Sequence, residues 1–145
     1  MKTTASIDSN QAALWNGHAG HAWVASQTAL DQMFQPLEDR LVEAVSAQRA
    51  QHVLDVGCGT GSTTLAITRQ LGANGSCLGI DISAPMLQTA RERAEREAPP
   101  ARFVCADAQT YAFQPAAFDM IVSRLGVMFY DDPVAAFTKI GRAHV

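Results

Sequence analysis

Val53-Leu54-Asp55-Val56-Gly57-Cys58-Gly59-Thr60-Gly61 is the stretch that decides the fold. An apolar run ends in alternating glycines. A helical pattern follows from Ser62 to Leu71, and Gly72 stands where a helix C-terminus favours glycine. Glycines let a backbone turn sharply and approach a ligand closely, and the next helix turns its first N–H groups toward that turn. Working outward, the first run is His52 to Val56. Further short apolar runs span Ser76 to Ile80, Arg102 to Ala106 and Phe118 to Ser123. They are apolar on both faces, as strands of a covered parallel sheet are.

Helical patterns lie between these runs. Ser83 is a suitable N-cap, with Pro85 tolerated in the first turn. Met86, Leu87, Ala90 and Ala94 give an inner face, and Arg91-Glu95 and Glu92-Arg96 are spaced as ion pairs on the outer one. Pro99-Pro100 is expected to end that helix. A last helix is expected to start near Asp132-Pro133. The alternation predicts an α/β fold, a Rossmann-like doubly wound parallel sheet.

Before Gln51 the chain reads as a helical cap. Leu30, Met33, Phe34, Leu37, Leu41, Ala44 and Val45 recur at helical spacing and predict one apolar stripe. Pro36 falls inside it and predicts a break or kink. Trp15 to Trp23 holds two glycines and reads as a loop between short helices.

Composition narrows the function. The chain has 145 residues, 48% hydrophobic and 17% charged, which fits a packed core. Net charge is -3 with a pI near 5.7, so no basic field is available for a nucleic-acid backbone. Cys58, Cys77 and Cys105 are scattered and odd in number, which fits a reducing cytoplasm rather than a disulfide framework. The first ten residues lack the apolar core of a secretory signal, and no run is long enough to span a membrane. These features predict a soluble, cytoplasmic protein that handles a small molecule.

The glycine turn admits two ligand classes. The second run ends in Gly79-Ile80-Asp81, at about the spacing where an acidic residue receives ribose hydroxyls. A dinucleotide site uses G-x-G-x-x-G, whereas this chain reads G-x-G-x-G with Ser62 in the third position of that pattern. Asp55, two residues before the first glycine, would repel a pyrophosphate and attract a cationic sulfonium and amino group. The expected cofactor is therefore S-adenosyl-L-methionine. The rivals are an NAD(P)-dependent oxidoreductase and a non-catalytic cofactor-binding module.

At this point the sequence resembles the class I S-adenosylmethionine-dependent methyltransferases, most closely the branch related to the ubiquinone and menaquinone biosynthesis enzymes. Asp55 to Gly61 resembles that family's first motif, and Gly79 to Leu87 the motif at the end of the second strand. Cys105-Ala106-Asp107-Ala108 is similar to the motif after the third strand, and Phe118 to Ser123 to the fourth strand. Ser123 to Tyr130 with Asp132-Pro133, and Trp15-Asn16-Gly17 with Trp23, are similar to a narrower subgroup. The resemblance implies roles. Gly57, Cys58, Gly59 and Gly61 form the turn around the methionine and ribose side, and Asp55 holds the amino end. Asp81 accepts from the ribose, with Ile82 and Met86 beside it. Asp107 and Ala108 meet the adenine. Ser123 lies at the end of the fourth strand, where ligands sit in open α/β sheets. Trp15 and Trp23 close over the cofactor. Arg124, Phe129 and Tyr130 are weaker candidates for the acceptor, with an ion pair for Arg124 and a core place for the two rings as the alternatives. The acceptor is expected to be a small organic molecule, and no catalytic residue is assigned.

Three other features have plain readings. His18 and His21 are spaced for a metal but lack a third ligand, so no metal is expected. Cys58 reads as a small filler rather than a reactive thiol. Asp119 reads as structural, near the strand start.

The resembled fold has seven strands, of which four are read here. The expected organisation is a helical cap over 1–50, a cofactor-binding half-domain over 51–139, and a non-native tail over 140–145. Ile140 to Val145 is what a common sequencing adapter encodes in one frame. The expectation is thus an N-terminal portion, inactive by itself, whose fourth strand has an open edge.

Overall fold

The computed structural model describes residues 7–97 and 101–145. The expected helix stop at Pro99-Pro100 and most of the N-terminal decapeptide lie outside the described residues. Three helices come first: α1 (Ile7–Asn16), α2 (His18–Ala25) and α3 (Gln27–Ala47). The alternating unit then runs β1 (His52–Val56), α4 (Ser62–Leu71), β2 (Ser76–Asp81), α5 (Ala84–Glu97), β3 (Arg102–Cys105), β4 (Met120–Val122) and α6 (Pro133–Gly141). The sheet order is β3-β2-β1-β4, and every pairing is parallel. This is the α/β Rossmann-like arrangement that the alternation predicts. Order reverses after β1, so the crevice at the strand C-termini opens between β1 and β4.

Burial follows from the two-faced apolar strands. Val53, Leu54 and Val56 of β1 are at most 1% exposed. Val53 packs with Val45, Ile67 and Cys77 on one face, and Leu54 with Ile80, Ala108 and Ile140 on the other. Asp119 stands at the opposite end from the crevice. Its carboxylate accepts from the Gln51 and His52 amides at 2.9 to 3.1 Å, which fixes the entry of β1. Asp119→Ala is expected to cost about 1 to 3 kcal/mol of stability, since charge-assisted bonds to two amides are lost. Denaturant midpoints check this, with Asp119→Asn expected to recover part of the loss.

Several expectations need correcting. The Trp15–Trp23 segment is helical on both sides of Gly17 rather than a loop. Tertiary contact outweighs the glycine cost: an added Cβ on Gly20 would fall 1.9 Å from the Trp15 carbonyl oxygen, so α1 and α2 meet backbone to backbone there. Helix α3 runs unbroken through Pro36. Pro36 stands on the exposed side of α3, where the lost N–H bond leaves no buried group unpaired by necessity. The α3 stripe is displaced as well. Met33 is 61% exposed and Leu37 45%, while Glu38 is 5% exposed and buried with Val45. On α5 the outer pairs do not form. Arg91 donates to the Phe103 carbonyl, and Glu92 accepts from Gln88. The segment just before β4 is paired with the chain's last residues, while Met120–Val122 themselves pair with β1. Phe118 N–H donates to the Ala143 carbonyl, Val145 N–H donates to Phe118, and Ala143 is fully buried.

Candidate cofactor and acceptor site

The crevice holds a cavity of about 330 Å³. Its floor is the turn between β1 and α4. Gly57 and Gly59 have φ of +71° and +55°, the left-handed region that L side chains avoid. Gly57 is also jammed against a second glycine, because an added Cβ would lie 2.5 Å from the Gly126 Cα. Gly126 was not singled out from the sequence. Only its meeting with Gly57 across the sheet end explains why a glycine stands in that apolar run.

The turn's amides are largely spent. Gly57 and Cys58 N–H both donate to the Ile80 carbonyl, at 2.8 and 3.1 Å. Gly59 N–H donates to Asp81 Oδ2 at 2.8 Å. The free N–H groups that the sequence reading expects belong to the first turn of α4, beyond these three. The turn's own amides are tied to β2 and make a poor nest for a phosphate.

Carboxylates surround the turn. Asp55 is 1% exposed and accepts from Thr64 Oγ1 at 2.7 Å. Burial raises its carboxyl to about 6 from a usual 3.8, against the pull of Thr64 and of the Arg124 charge. Asp81 Oδ1 also accepts from Ser83 N–H at 2.9 Å, and burial raises this carboxyl too. Both Asp81 oxygens keep lone pairs for further donors. Asp107 Oδ1 accepts from Gln109 N–H at 2.8 Å. All three aspartates line the cavity, as do Cys58, Ile82, Met86 and Ala108. Burial, Asp55 and Asp81 push the Cys58 thiol well up, so it is a neutral filler.

The cap supplies an aromatic wall. Trp15 meets Trp23 edge-on at 6.1 Å and Phe129 at 5.4 Å, and Trp23 stacks on Phe34 at 6.1 Å. Asn16 fastens this wall by donating to the Ile82 carbonyl and accepting from Ala84 N–H. Ser83 Oγ adds a bond to the Trp15 carbonyl. Arg124, Phe129 and Tyr130 also face the cavity.

Two expected residues do not line it. Gly61 caps α4, where an added Cβ would lie 2.9 Å from the Ala90 Cβ, so it serves helix packing. Ser123 Oγ donates to the Val56 carbonyl and accepts from Gly126 N–H, so it braces the loop. Gln11, Thr63, Leu125 and Met128 line the cavity but were not singled out from the sequence. His21 Nδ1 is 2.9 Å from the Gly17 carbonyl, one turn back.

A parallel sheet with a glycine turn at its switch point, ringed by aspartates, defines a nucleoside-cofactor fold. The methyltransferase domain family matches the chain over residues 53–144. The chain belongs to that family. Aklanonic acid methyltransferase DauC of Streptomyces sp. (strain C5) is 32% identical over 109 residues, covering 74% of this chain and 50% of that protein. A demethylmenaquinone methyltransferase of Lactiplantibacillus plantarum is 34% identical over 93 residues, covering 63% and 39%. In fold, the chain is similar to magnesium protoporphyrin IX methyltransferase of Synechocystis PCC 6803, solved with bound S-adenosylmethionine. That match has a TM-score of 0.81 at 17% identity, covering 99% of this chain and 74% of that one. The chain thus spans half or less of the curated relatives' length.

Proposed function

We propose that this chain forms the S-adenosylmethionine-binding part of a methyltransferase acting on a small organic acceptor. One observation carries the choice of cofactor: the glycine turn has spent its amides on Ile80 and Asp81 and is ringed by Asp55, Asp81 and Asp107. A pyrophosphate on this turn would need its N–H groups free and would be repelled by Asp55, whereas Asp81 would suit the ribose of either cofactor. A cationic cofactor is suited by the site as built. This disfavours the nicotinamide reading.

The residues present fit the group. Asp81 would take the ribose hydroxyls on its remaining lone pairs, and Asp107 with the Ala108 amide would take the adenine edge. Ile82 and Met86 would pack on the rings, and Asp55 would face the amino end. Gly57, Cys58 and Gly59 would let the ligand lie against the backbone. Trp15 and Trp23 would exclude water. When bound, the cofactor supplies a methyl group already activated on sulfur. The chain's share is approach geometry and desolvation. Cys58 and Tyr130 offer no base near neutrality, and Asp55, whose carboxyl burial raises to about 6, is taken up by the cofactor's amino end in this reading. The Tyr130 phenol is pushed up to about 12 by burial and by Asp107. An amine, a carbon acid or an already ionised oxygen fits such a site better than a hydroxyl. The acidic balance favours a small acceptor over nucleic acid, and the unpaired Cys58, Cys77 and Cys105 suit the cytoplasm. Among the described residues no helix is long and apolar enough to cross a membrane.

Isothermal titration separates the readings: S-adenosylmethionine should bind and NAD should not. Binding of NAD alone would overturn the proposal. A pH series tests Asp55. Its raised carboxyl favours the folded chain below about 3.8, and that contribution is lost as pH rises through about 6. A cationic head favours the ionised form. Affinity for S-adenosylmethionine should therefore rise with pH up to about 6, by at most about tenfold per unit, and then level off. Constant affinity from pH 5 to 8 would remove Asp55 from the amino end.

A further inference from the structure

Arg124 is built into the site in a way that no role above requires. Its side chain is only 11% exposed, yet it lines the cavity. The guanidinium carbon lies 5.6 Å from the centroid of the Phe34 ring. Nη1 lies 3.5 Å from Glu38 Oε2, close enough for charge but not for a good hydrogen bond. That nitrogen is buried and has no hydrogen-bond partner among the described residues. Glu38 Oε2 is already engaged by the Ser62 hydroxyl. The cap helix therefore holds the cation in place without using this donor. A second orphan, Thr63 Oγ1, is 3% exposed and lines the same cavity.

Buried N–H groups of a charged side chain are rarely left unpaired, because desolvation is not repaid. Arginine's planar fork matches a carboxylate in particular. The nearby Asp55 is suited to an ammonium, so the two together complement the two charges of an amino-acid head.

We propose that Arg124 is a seat for a ligand carboxylate, with Glu38 and Phe34 of the cap as its positioning residues. The carboxylate comes from one of two sources. One is the methionyl end of the cofactor, and this source rests on the cofactor reading above. The other is the methyl acceptor.

Titration with three probes decides the matter. S-Adenosylhomocysteine carries the amino-acid head, 5′-methylthioadenosine lacks it, and benzoate in the presence of saturating S-adenosylhomocysteine offers a carboxylate alone. Arg124→Met is expected to weaken S-adenosylhomocysteine roughly 10- to 100-fold and to leave 5′-methylthioadenosine within about twofold. Arg124→Lys should recover part of the loss, since charge remains without the fork. Glu38→Gln should show the same selectivity for the head-bearing ligand, more weakly; an equal loss for both adenosyl ligands would mark Glu38 as merely structural. If Arg124→Met spares both adenosyl ligands and loses only benzoate, the carboxylate is the acceptor's and the seat stands. If folded Arg124→Met and Arg124→Lys leave S-adenosylhomocysteine and benzoate both unchanged, the seat is overturned. A wild-type chain that binds neither adenosyl compound would overturn the cofactor reading instead, and benzoate without cofactor would still decide the seat.

Discussion

A valine at position 59 is expected to abolish cofactor binding while leaving the far-ultraviolet dichroism near native. Gly59 has a φ of +55°, where a β-branched residue is strained. Its added Cβ would fall 2.7 Å from the Met86 Cε. Met86 is a flexible side chain and can retreat, so the fold absorbs this contact. The valine methyls then stand in the cavity that the turn lines, and a loss of at least about 100-fold in affinity follows, equal to roughly 3 kcal/mol. Binding that survives in Gly59→Val would mean that the turn is structural only. Gly57 is no substitute in this experiment. A side chain there meets the Gly126 backbone, which cannot retreat.

Asp81→Ala is expected to weaken S-adenosylmethionine by roughly 30- to 150-fold, from about 2 to 3 kcal/mol of charge-assisted bonding to two hydroxyls. The structure adds a second route to the loss. Asp81 also accepts from the Gly59 and Ser83 amides, so its removal loosens the turn and the start of α5 together. Asp81→Asn separates the two routes, because its carbonyl oxygen still accepts from one amide. Titration of both folded variants checks this. Unchanged affinity in Asp81→Ala would take the residue away from the ribose.

The strand–turn–helix unit was legible because its signals are local. Apolar runs, glycines and Ser83 act within a few residues of themselves, and α4 spans Ser62–Leu71 as the periodicity indicates. The cap was read less well. Glu38 and Asp31 look like solvent-facing charges on α3. Their burial depends on Arg124 and Arg93, far along the chain, with Arg93 reaching Asp31 at 3.0 Å and the Thr60 carbonyl as well. Apolar periodicity cannot register a stripe whose centre is charged, so Met33 and Leu37 were assigned inward and lie outward. Gly126 and the orphaned Thr63 were missed for a related reason. Each acquires its meaning from an element that is distant in sequence.

The aromatic wall makes the chain its own optical reporter. Both of its tryptophans, Trp15 and Trp23, sit in the cap and border the cavity. Neither lies in the sheet, so the indole emission carries no background from the rest of the domain. Trp15 touches Phe129 and Trp23 stacks on Phe34, the ring beneath Arg124. A change in emission on adding a ligand therefore reads the cap and the cavity mouth alone, without a label, at concentrations far below those that calorimetry needs.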